Sequence, residues 1–294
     1  MDTRIAFATS DEFPQLTEDD RLAVKALKKH GIHVEAALWT DPDINWSRFS
    51  AVVIRSCWDY HLKQEAFRIW LERLEQGGVT LWNPYETVRW NMDKVYLNDL
   101  QERGMHILDS VWLAKEGKAD LNTLMQDRGW TKVVVKPMVS AAANNTESIH
   151  LGNAIYYQRE FETLLSKGGV IVQDFAEEIN SDGEWSLIFF NKEYSHSVIK
   201  HPQHGDFRVQ FDFGGKVHPS EAPHHLIAQA QKVVNAVPGE LLYARVDGIE
   251  RSGILTLMEL ELIEPHLFFE LDGEAPQRFA NALVCSLVQK ERKI

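Results

Sequence analysis

The sequence predicts an α/β unit followed by an α+β unit, and three observations carry that expectation. In the first third, short apolar runs alternate with amphipathic helical stretches, the pattern of a parallel sheet with crossover helices. From about residue 130 onward the strands become β-branched and several follow one another through turns, as in an antiparallel sheet. Towards the C-terminus, Glu259-Leu260-Glu261-Leu262 alternates carboxylates with leucines, so one face of a strand is acidic and the other apolar.

Taken in order, residues 4–9 read as a buried strand. Leu22, Val24, Ala26 and Leu27 lie in a helix that stops at Gly31. Strands follow at 33–39 and 51–54, then a helix at 65–76 closed by Gly77-Gly78, then a strand at 79–82 stopped by Asn83-Pro84. Ligand loops in such sheets lie at the carboxyl ends of strands. Here the third strand runs into Arg55-Ser56-Cys57-Trp58-Asp59-Tyr60-His61, readable as a substrate-facing loop or as an aromatic plug. The first strand's exit, 10–14, is a weaker candidate for the same cleft. A helix over 86–102 carries Asn91, Asp93 and Lys94 and ends at Arg103-Gly104. Strands are then expected at 132–137, 170–173, 185–190, 195–200, 209–213, 241–246 and 255–263, with a helix over 223–237.

Composition narrows the function classes. The 294 residues hold 44% hydrophobic and 25% charged side chains, with 31 Lys plus Arg against 43 Asp plus Glu, a net charge of -12. Such an acidic chain is a poor partner for nucleic acid or an anionic membrane. Cys57 and Cys285 are too few for a disulfide framework, and no apolar run approaches a membrane span. With no signal-peptide pattern at the start, the expected location is cytoplasmic.

Asp247, Glu259 and Glu261 are the chief candidates for chemistry. If 251–253 is the loop of a hairpin, Arg245 lies opposite Glu259 and Asp247 joins the same face. Adjacent carboxylates repel unless a cation lies between them, and an all-oxygen set is what Mg²⁺ prefers. A solvated edge-strand face would carry the same residues. Lys136, between valines and Pro137, is an ammonium in an apolar strand and needs an anionic partner, carboxylate or phosphate. The following loop, 140–148, offers Ser140 and many backbone N–H groups beside small side chains. It reads as a phosphate lid or as a surface hairpin. Gln173-Asp174-Phe175 ends a strand whose exposed edge suits an adenine ring. Lys200 and Arg208 place two permanent cations near a turn. The histidines at 201, 204, 218, 224 and 225 lack zinc-ligand spacing, and no P-loop, GxGxxG or GxSxG motif occurs.

In this order the segments resemble the ATP-grasp superfamily, in its glutathione-synthetase-like branch. The matching segments are Asp93-Lys94, Val135-Lys136-Pro137, Gln173-Asp174-Phe175, Gly183-Glu184, Lys200 to Arg208 with Gly214-Gly215, Arg245-Val246-Asp247 and Glu259-Leu260-Glu261. The 55–60 segment and Glu261-Leu262-Ile263-Glu264-Pro265 also look like a cycloserine-forming cyclo-ligase subgroup. The resemblance implies an ATP-grasp architecture: a substrate domain at 1–88, a central subdomain with the lid at 89–168 and a C-terminal subdomain with the metal site at 169–294.

It further implies an ATP- and Mg²⁺-dependent carboxylate–amine ligase acting through an acyl phosphate on a small amino-acid-like substrate. Ring closure is one form of that reaction. Lys94, Lys136 and Ser140 would hold phosphates, Gln173, Asp174 and Phe175 would meet adenine, and Glu184 the ribose. Asp247, Glu259 and Glu261 would hold Mg²⁺, expected as two ions that Mn²⁺ can replace. Lys200 and Arg208 would stabilise the transferring phosphoryl group. Arg55, Trp58, Asp59, Tyr60 and Arg245 would wall the substrate site. The expected partners are a carboxylate and an amine, with self-association left open. Three positions depart from the family pattern: the lid is rich in alanine and asparagine, Glu261 replaces an asparagine, and His266 stands where a small residue is expected. The rival readings are an ATP-binding regulatory module without turnover and a structural α/β protein.

Overall fold

The two central strands of the first sheet are buried on both faces, which explains why they are continuous apolar runs rather than alternating ones, while its edge strand at 33–38 is partly exposed. The computed structural model describes residues 3–140, 144–203, 206–209 and 213–291. Strands β1 (Arg4–Thr9), β2 (His33–Leu38), β3 (Ala51–Ser56) and β4 (Leu81–Trp82) pair in parallel in the order β2-β1-β3-β4. Helices α1 (Glu18–Lys29) and α2 (Gln64–Gln76) are the crossovers, as the periodicity predicts. Ile5 and Phe7 point to one core with α1, while Ala6 and Ala8 point to another with Phe67, Trp70 and Leu71 of α2.

The helix expected over 86–102 is two helices, α3 (Tyr85–Asn91) and α4 (Tyr96–Glu102). The break has a local cause. Asp93 Oδ1 accepts the Val95 N–H at 3.0 Å, and the Lys94 N–H donates to the Met138 carbonyl at 2.9 Å instead of up a helix.

A middle sheet follows, in the order β5-β8-β6-β7, all antiparallel. It comprises β5 (Ser110–Leu113), β6 (Lys132–Pro137), β7 (Glu147–His150) and β8 (Val170–Asp174). Helices α5 (Leu121–Arg128) and α6 (Ala154–Lys167) cover one face, enclosing Met125, Val133, Val135, Phe161 and Val172. β5, β7, α5 and α6 are not among the predicted elements. The division expected at 168/169 falls inside this sheet, because β8 is its second strand.

The last sheet runs β11-β10-β9-β12-β13, again antiparallel. A short helix α7 (Glu178–Ser181) leads into β9 (Glu184–Phe190) and β10 (Glu193–His201), followed by β11 (Lys216–Pro219). Helix α8 (His224–Ala236), predicted from sequence, packs beside β12 (Tyr243–Arg251) and β13 (Ile254–Glu261). The unpredicted α9 (Ala275–Glu291) lies between this sheet and the first, through Phe279 and Leu283. The strand expected at 209–213 lies mostly outside the described residues, and Val209 itself is not in a strand.

The hairpin differs from expectation in a way that decides the chemistry. Its loop has two residues, Ser252 (φ 52°) and Gly253 (φ 79°), the backbone of a tight hairpin turn. Pairing starts at Arg251 with Ile254, and a bulge between Asp247 and Gly248 then shifts the register. Arg245 therefore faces Glu261, and Asp247 faces Glu259. A two-residue loop alone would have turned the glutamates to the opposite face from Asp247. The bulge, with Met258 as its extra residue, restores the common face. Gly248 is required there, since a Cβ would lie 2.6 Å from the Thr256 carbonyl oxygen.

Candidate active site

Asp247 is held from three sides. Ser186 on β9 donates to Oδ1 at 2.5 Å, Arg245 Nη2 donates to Oδ2 at 2.9 Å, and Lys200 Nζ stands 3.5 Å from Oδ2. Arg245 also pairs with Glu261 across the hairpin and donates to the His266 carbonyl at 3.0 Å. Lys200 Nζ lies 2.5 Å from Glu184 Oε1. Burial pushes the Asp247 carboxyl up, but Arg245 and Lys200 outweigh it and hold it below the usual range. For Glu261 burial wins: despite Arg245, its carboxyl rises to about 7, with Asp247 and Glu259 adding repulsion. Glu184 is likewise raised by burial in spite of Lys200.

The edge-strand alternative fails on β13's outer edge, which is not left to solvent. Asn91 donates to the Leu260 carbonyl and accepts from the Leu262 N–H, both at 2.8 Å; Tyr96 Oη accepts from the Leu260 N–H at 3.0 Å. Leu257 exchanges hydrogen bonds with the 106–108 backbone.

Two lysines from outside this sheet complete the cluster. The break after α3 swings Lys94 inward, so that Nζ lies 2.7 Å from Glu259 Oε1 and donates to the Ser140 carbonyl at 2.8 Å. Ser140 thus contributes its main chain, while its hydroxyl turns to the Pro137 carbonyl at 3.3 Å. Lys136 projects from the face of β6 opposite the helices. Burial lowers its ammonium to about 8, against the pull of Glu259. Lys94 and Lys136 together outweigh burial at Glu259 and keep it ionised. Four acids (Glu184, Asp247, Glu259, Glu261) and four cations (Lys94, Lys136, Lys200, Arg245) therefore face one another where the last two sheets meet. Residues 141–143 of the expected lid lie outside the described residues. Beyond them, Asn144 reaches His61 Nε2 at 3.1 Å.

On the nucleotide side the expectations are partly redirected. Gln173 shares the Lys136 face of its sheet, but its amide donates to Ser110 Oγ at 2.9 Å and is buried. The Phe175 N–H, expected to meet adenine, donates to the Lys132 carbonyl at 3.2 Å, and the Asp174 N–H to the Asp109 carbonyl at 2.8 Å. Lys132, absent from the sequence-based set, lies 3.3 Å above the Phe175 ring. It borders a cavity of about 400 Å³ shared with Ser148, Asn180, Gln203 and Phe207, between the two antiparallel sheets. Arg208 is not brought to the acidic cluster. It pairs side-on with Asp206, Nη2 to Oδ2 at 2.8 Å, and stacks 3.7 Å from the Phe213 ring centroid.

Two of the five expected substrate-wall residues, Arg55 and Asp59, tie down the loop, and a third, Tyr60, is largely buried. Arg55 is 2% exposed, bound to Asp20 at 2.8 Å and to the Pro265 carbonyl at 2.9 Å. Asp59 accepts from Trp39 Nε1 at 2.8 Å and Lys63 Nζ at 2.7 Å. Tyr60 is buried against Phe67. The polar atoms of Arg55 and Asp59 hold the loop, whereas the Tyr60 ring fills the core and its hydroxyl stands in the field of Glu264, Glu259 and Glu261. Trp58 and Arg245 remain. The Trp58 indole N–H fixes the Glu264 carbonyl at 3.0 Å, with its ring against Phe13 and His266.

Residues 5–83 match the family model described as D-cycloserine synthetase DcsG, N-terminal domain. The cycloserine biosynthesis protein DcsG of Streptomyces lavendulae is 30% identical over 275 residues, spanning 88% of this chain and 91% of that protein. The crystal structure of D-cycloserine synthetase DcsG superposes with a TM-score of 0.87 at 28% identity, covering 97% of this chain and 99% of the other. A D-alanine–D-alanine ligase from Bacillus anthracis shares the fold at a TM-score of 0.71 and 13% identity, covering 99% of each chain.

Proposed function

The chain belongs to the D-cycloserine synthetase family of ATP-grasp ligases, and on that premise we propose that it phosphorylates a carboxylate of a small amino-acid-like substrate and closes it onto an amine of the same molecule. The reaction type, ATP-dependent carboxylate–amine ligation, follows from the family. The acyl phosphate, the ring closure and the substrate are our reading. The observation that carries it is the convergence of Lys94 and Lys136 on the Asp247, Glu259 and Glu261 face.

Phosphoryl transfer to a carboxylate needs alignment and charge neutralisation more than a protein nucleophile. Lys94 and Lys136 provide fixed positive charge for the phosphates, and the Ser140 carbonyl orients Lys94. The cavity beside Lys132 and Phe175 suits the base, with Gln173 and Asp174 shaping the strand end and Glu184 near the ribose. Asp247, Glu259 and Glu261 offer only oxygen donors, a set that fits Mg²⁺; two ions, replaceable by Mn²⁺, are proposed. Bound there, Mg²⁺ would offset the charge of the phosphates. Arg245 lies between Asp247 and Glu261 and holds Asp247 ionised, while Lys200 lies ready to meet charge on the transferred group. Trp58 closes the substrate wall and limits water. A cytoplasmic location is proposed from the free thiols of Cys57 and Cys285.

Amino-acid-like acids labelled with ¹⁸O in the carboxylate test this directly. Activation as an acyl phosphate transfers one labelled oxygen to inorganic phosphate as ADP forms. ADP formation with unlabelled phosphate removes the acyl-phosphate step. The pairing of Arg208 with Asp206 favours a second reading, an ATP-binding regulatory module without turnover. That reading predicts nucleotide binding with no substrate-dependent ADP release.

A further inference from the structure

A second group of ligand-type side chains meets away from the acidic cluster. Asp19 lies in the first turn of α1, His266 follows Glu264-Pro265, and Glu270 lies in the short 3-10 turn Phe269–Leu271. His266 Nε2 is 3.3 Å from Asp19 Oδ2 and 3.7 Å from Glu270 Oε1. One ligand atom from each residue lies within 4.8 Å of the other two. Asp19 is 4% exposed; its Oδ1 accepts the Glu270 N–H at 3.2 Å, but its Oδ2 has no hydrogen-bond donor. The neighbouring guanidinium of Arg55 is engaged through Nε by Asp20 and through Nη2 by the Pro265 carbonyl, and its buried Nη1 makes no hydrogen bond to Asp19. A buried carboxylate oxygen without a donor, facing a second carboxylate, calls for a cation.

The spacing distinguishes the candidate occupants. Around a tetrahedral ion with bonds of about 2.0–2.2 Å, ligand atoms stand about 3.3–3.6 Å apart. Around an ammonium with hydrogen bonds of about 2.8–3.0 Å, acceptors stand about 4.6–4.9 Å apart. The 3.3 Å edge falls in the range of the ion and the 3.7 Å edge lies just beyond it, both well short of the ammonium spacing. One imidazole and two carboxylates form a mixed nitrogen and oxygen set that suits zinc rather than magnesium. We propose that Asp19, His266 and Glu270 form a binding site for a zinc-class divalent cation, distinct from the Asp247, Glu259 and Glu261 face. His266 and Glu270 are 33% and 44% exposed in their side chains, so an ion has an entry path and room for a fourth, solvent ligand. The ion would tie the first helix to the segment after β13, fixing the His266 carbonyl that receives Arg245 and the ring that meets Trp58. It would brace the substrate wall from behind. The site stands independently of the ligase reading.

The test uses the full chain, stripped with a chelator and free of nucleotide. Zn²⁺ is titrated calorimetrically, and Co²⁺ is followed by its visible absorption as a report of ligand number. One equivalent is expected, with Glu270→Gln and Asp19→Asn each weakening binding about tenfold or more. Glu259→Gln is expected to leave it unchanged. Circular dichroism confirms that each variant is folded, and the half-exposed Glu270 makes its substitution the safer of the two. No binding by folded wild-type protein, or binding that survives Glu270→Gln and disappears in Glu259→Gln, overturns the proposal.

Discussion

Lys136 carries a pH dependence that a surface lysine would not. Burial lowers its ammonium from 10.5 to about 8 despite the pull of Glu259. Below about 8 the ammonium is charged in both folded and unfolded chains, and the cost of burying it is fully present. Between 8 and 10.5 the unfolded chain binds more protons, so this group's contribution makes stability rise with pH. A phosphate reverses the preference, because it favours the ammonium. Affinity for a non-hydrolysable ATP analogue should therefore fall above pH 8, approaching about tenfold per unit. Lys136→Arg, charged throughout, should flatten that slope while keeping binding. Calorimetry across pH 7 to 10 checks this, and an unchanged slope in the arginine variant would move the titration to another group. Lys136 stood out as an ammonium in an apolar strand, and Glu259 and Glu261 were legible as one face because strand alternation assigns faces without knowledge of neighbours, whereas Asp247 joined them only through an assumed hairpin register. Arg55 and Asp59 misled because the residue types that bind substrates also tie down loops. Their partners Asp20 and Trp39 are set only by the tertiary fold.

Among elements, β13 depends on help from α3 and α4. As the end strand of its sheet it would expose unpaired backbone groups, and Asn91 and Tyr96 satisfy those at Leu260 and Leu262. Asn91→Ala leaves one buried N–H and one buried carbonyl without their partner, and should destabilise the chain by about 1–3 kcal/mol. Tyr96→Phe removes a single acceptor and should cost less. Urea unfolding gives the size of each, and a neutral Asn91→Ala would mean that water replaces the clamp. These helices were expected as one, because apolar periodicity continues through the break. What divides them is Asp93 accepting from Val95, a side-chain-to-backbone bond that periodicity does not register. The hairpin shows the same limit. Gly253 marked the turn, but only the pairing pattern reveals the bulge that returns both glutamates to the face of Asp247.

At the scale of the molecule, the hydrophobic cores divide the chain differently from its order. Ile5, Phe7 and Leu27 of the first unit share one core with Ile188, Phe190 and Tyr243 of the last sheet and with Phe279 of α9. Those two units are one body. The middle sheet encloses a core of its own under α5 and α6. Polar links to the rest include the Lys94 bonds to Met138 and Ser140, the Asn144 contact with His61 and, beside β8, the Arg251–Glu178 pair. Apolar links are few, chiefly Trp112 against the core of the last sheet and Leu108 and Ala176 with Ile249, so the unit can open without exposing the shared core and its local stability lies below that of the whole. Hydrogen exchange should find β6 and β8 opening at lower free energy than β1, β9 and β12 in the nucleotide-free protein. A ligand gripping Lys136 on one side and the carboxylates on the other removes that difference, because it binds only the closed arrangement. Adding Mg²⁺ with an ATP analogue at about a hundred times its Kd should therefore raise protection in 132–137 and 170–174 by up to about 2.7 kcal/mol, and Lys136→Ala should abolish the gain. Equal protection of all three sheets without nucleotide would show instead that the middle sheet is fixed to the rest.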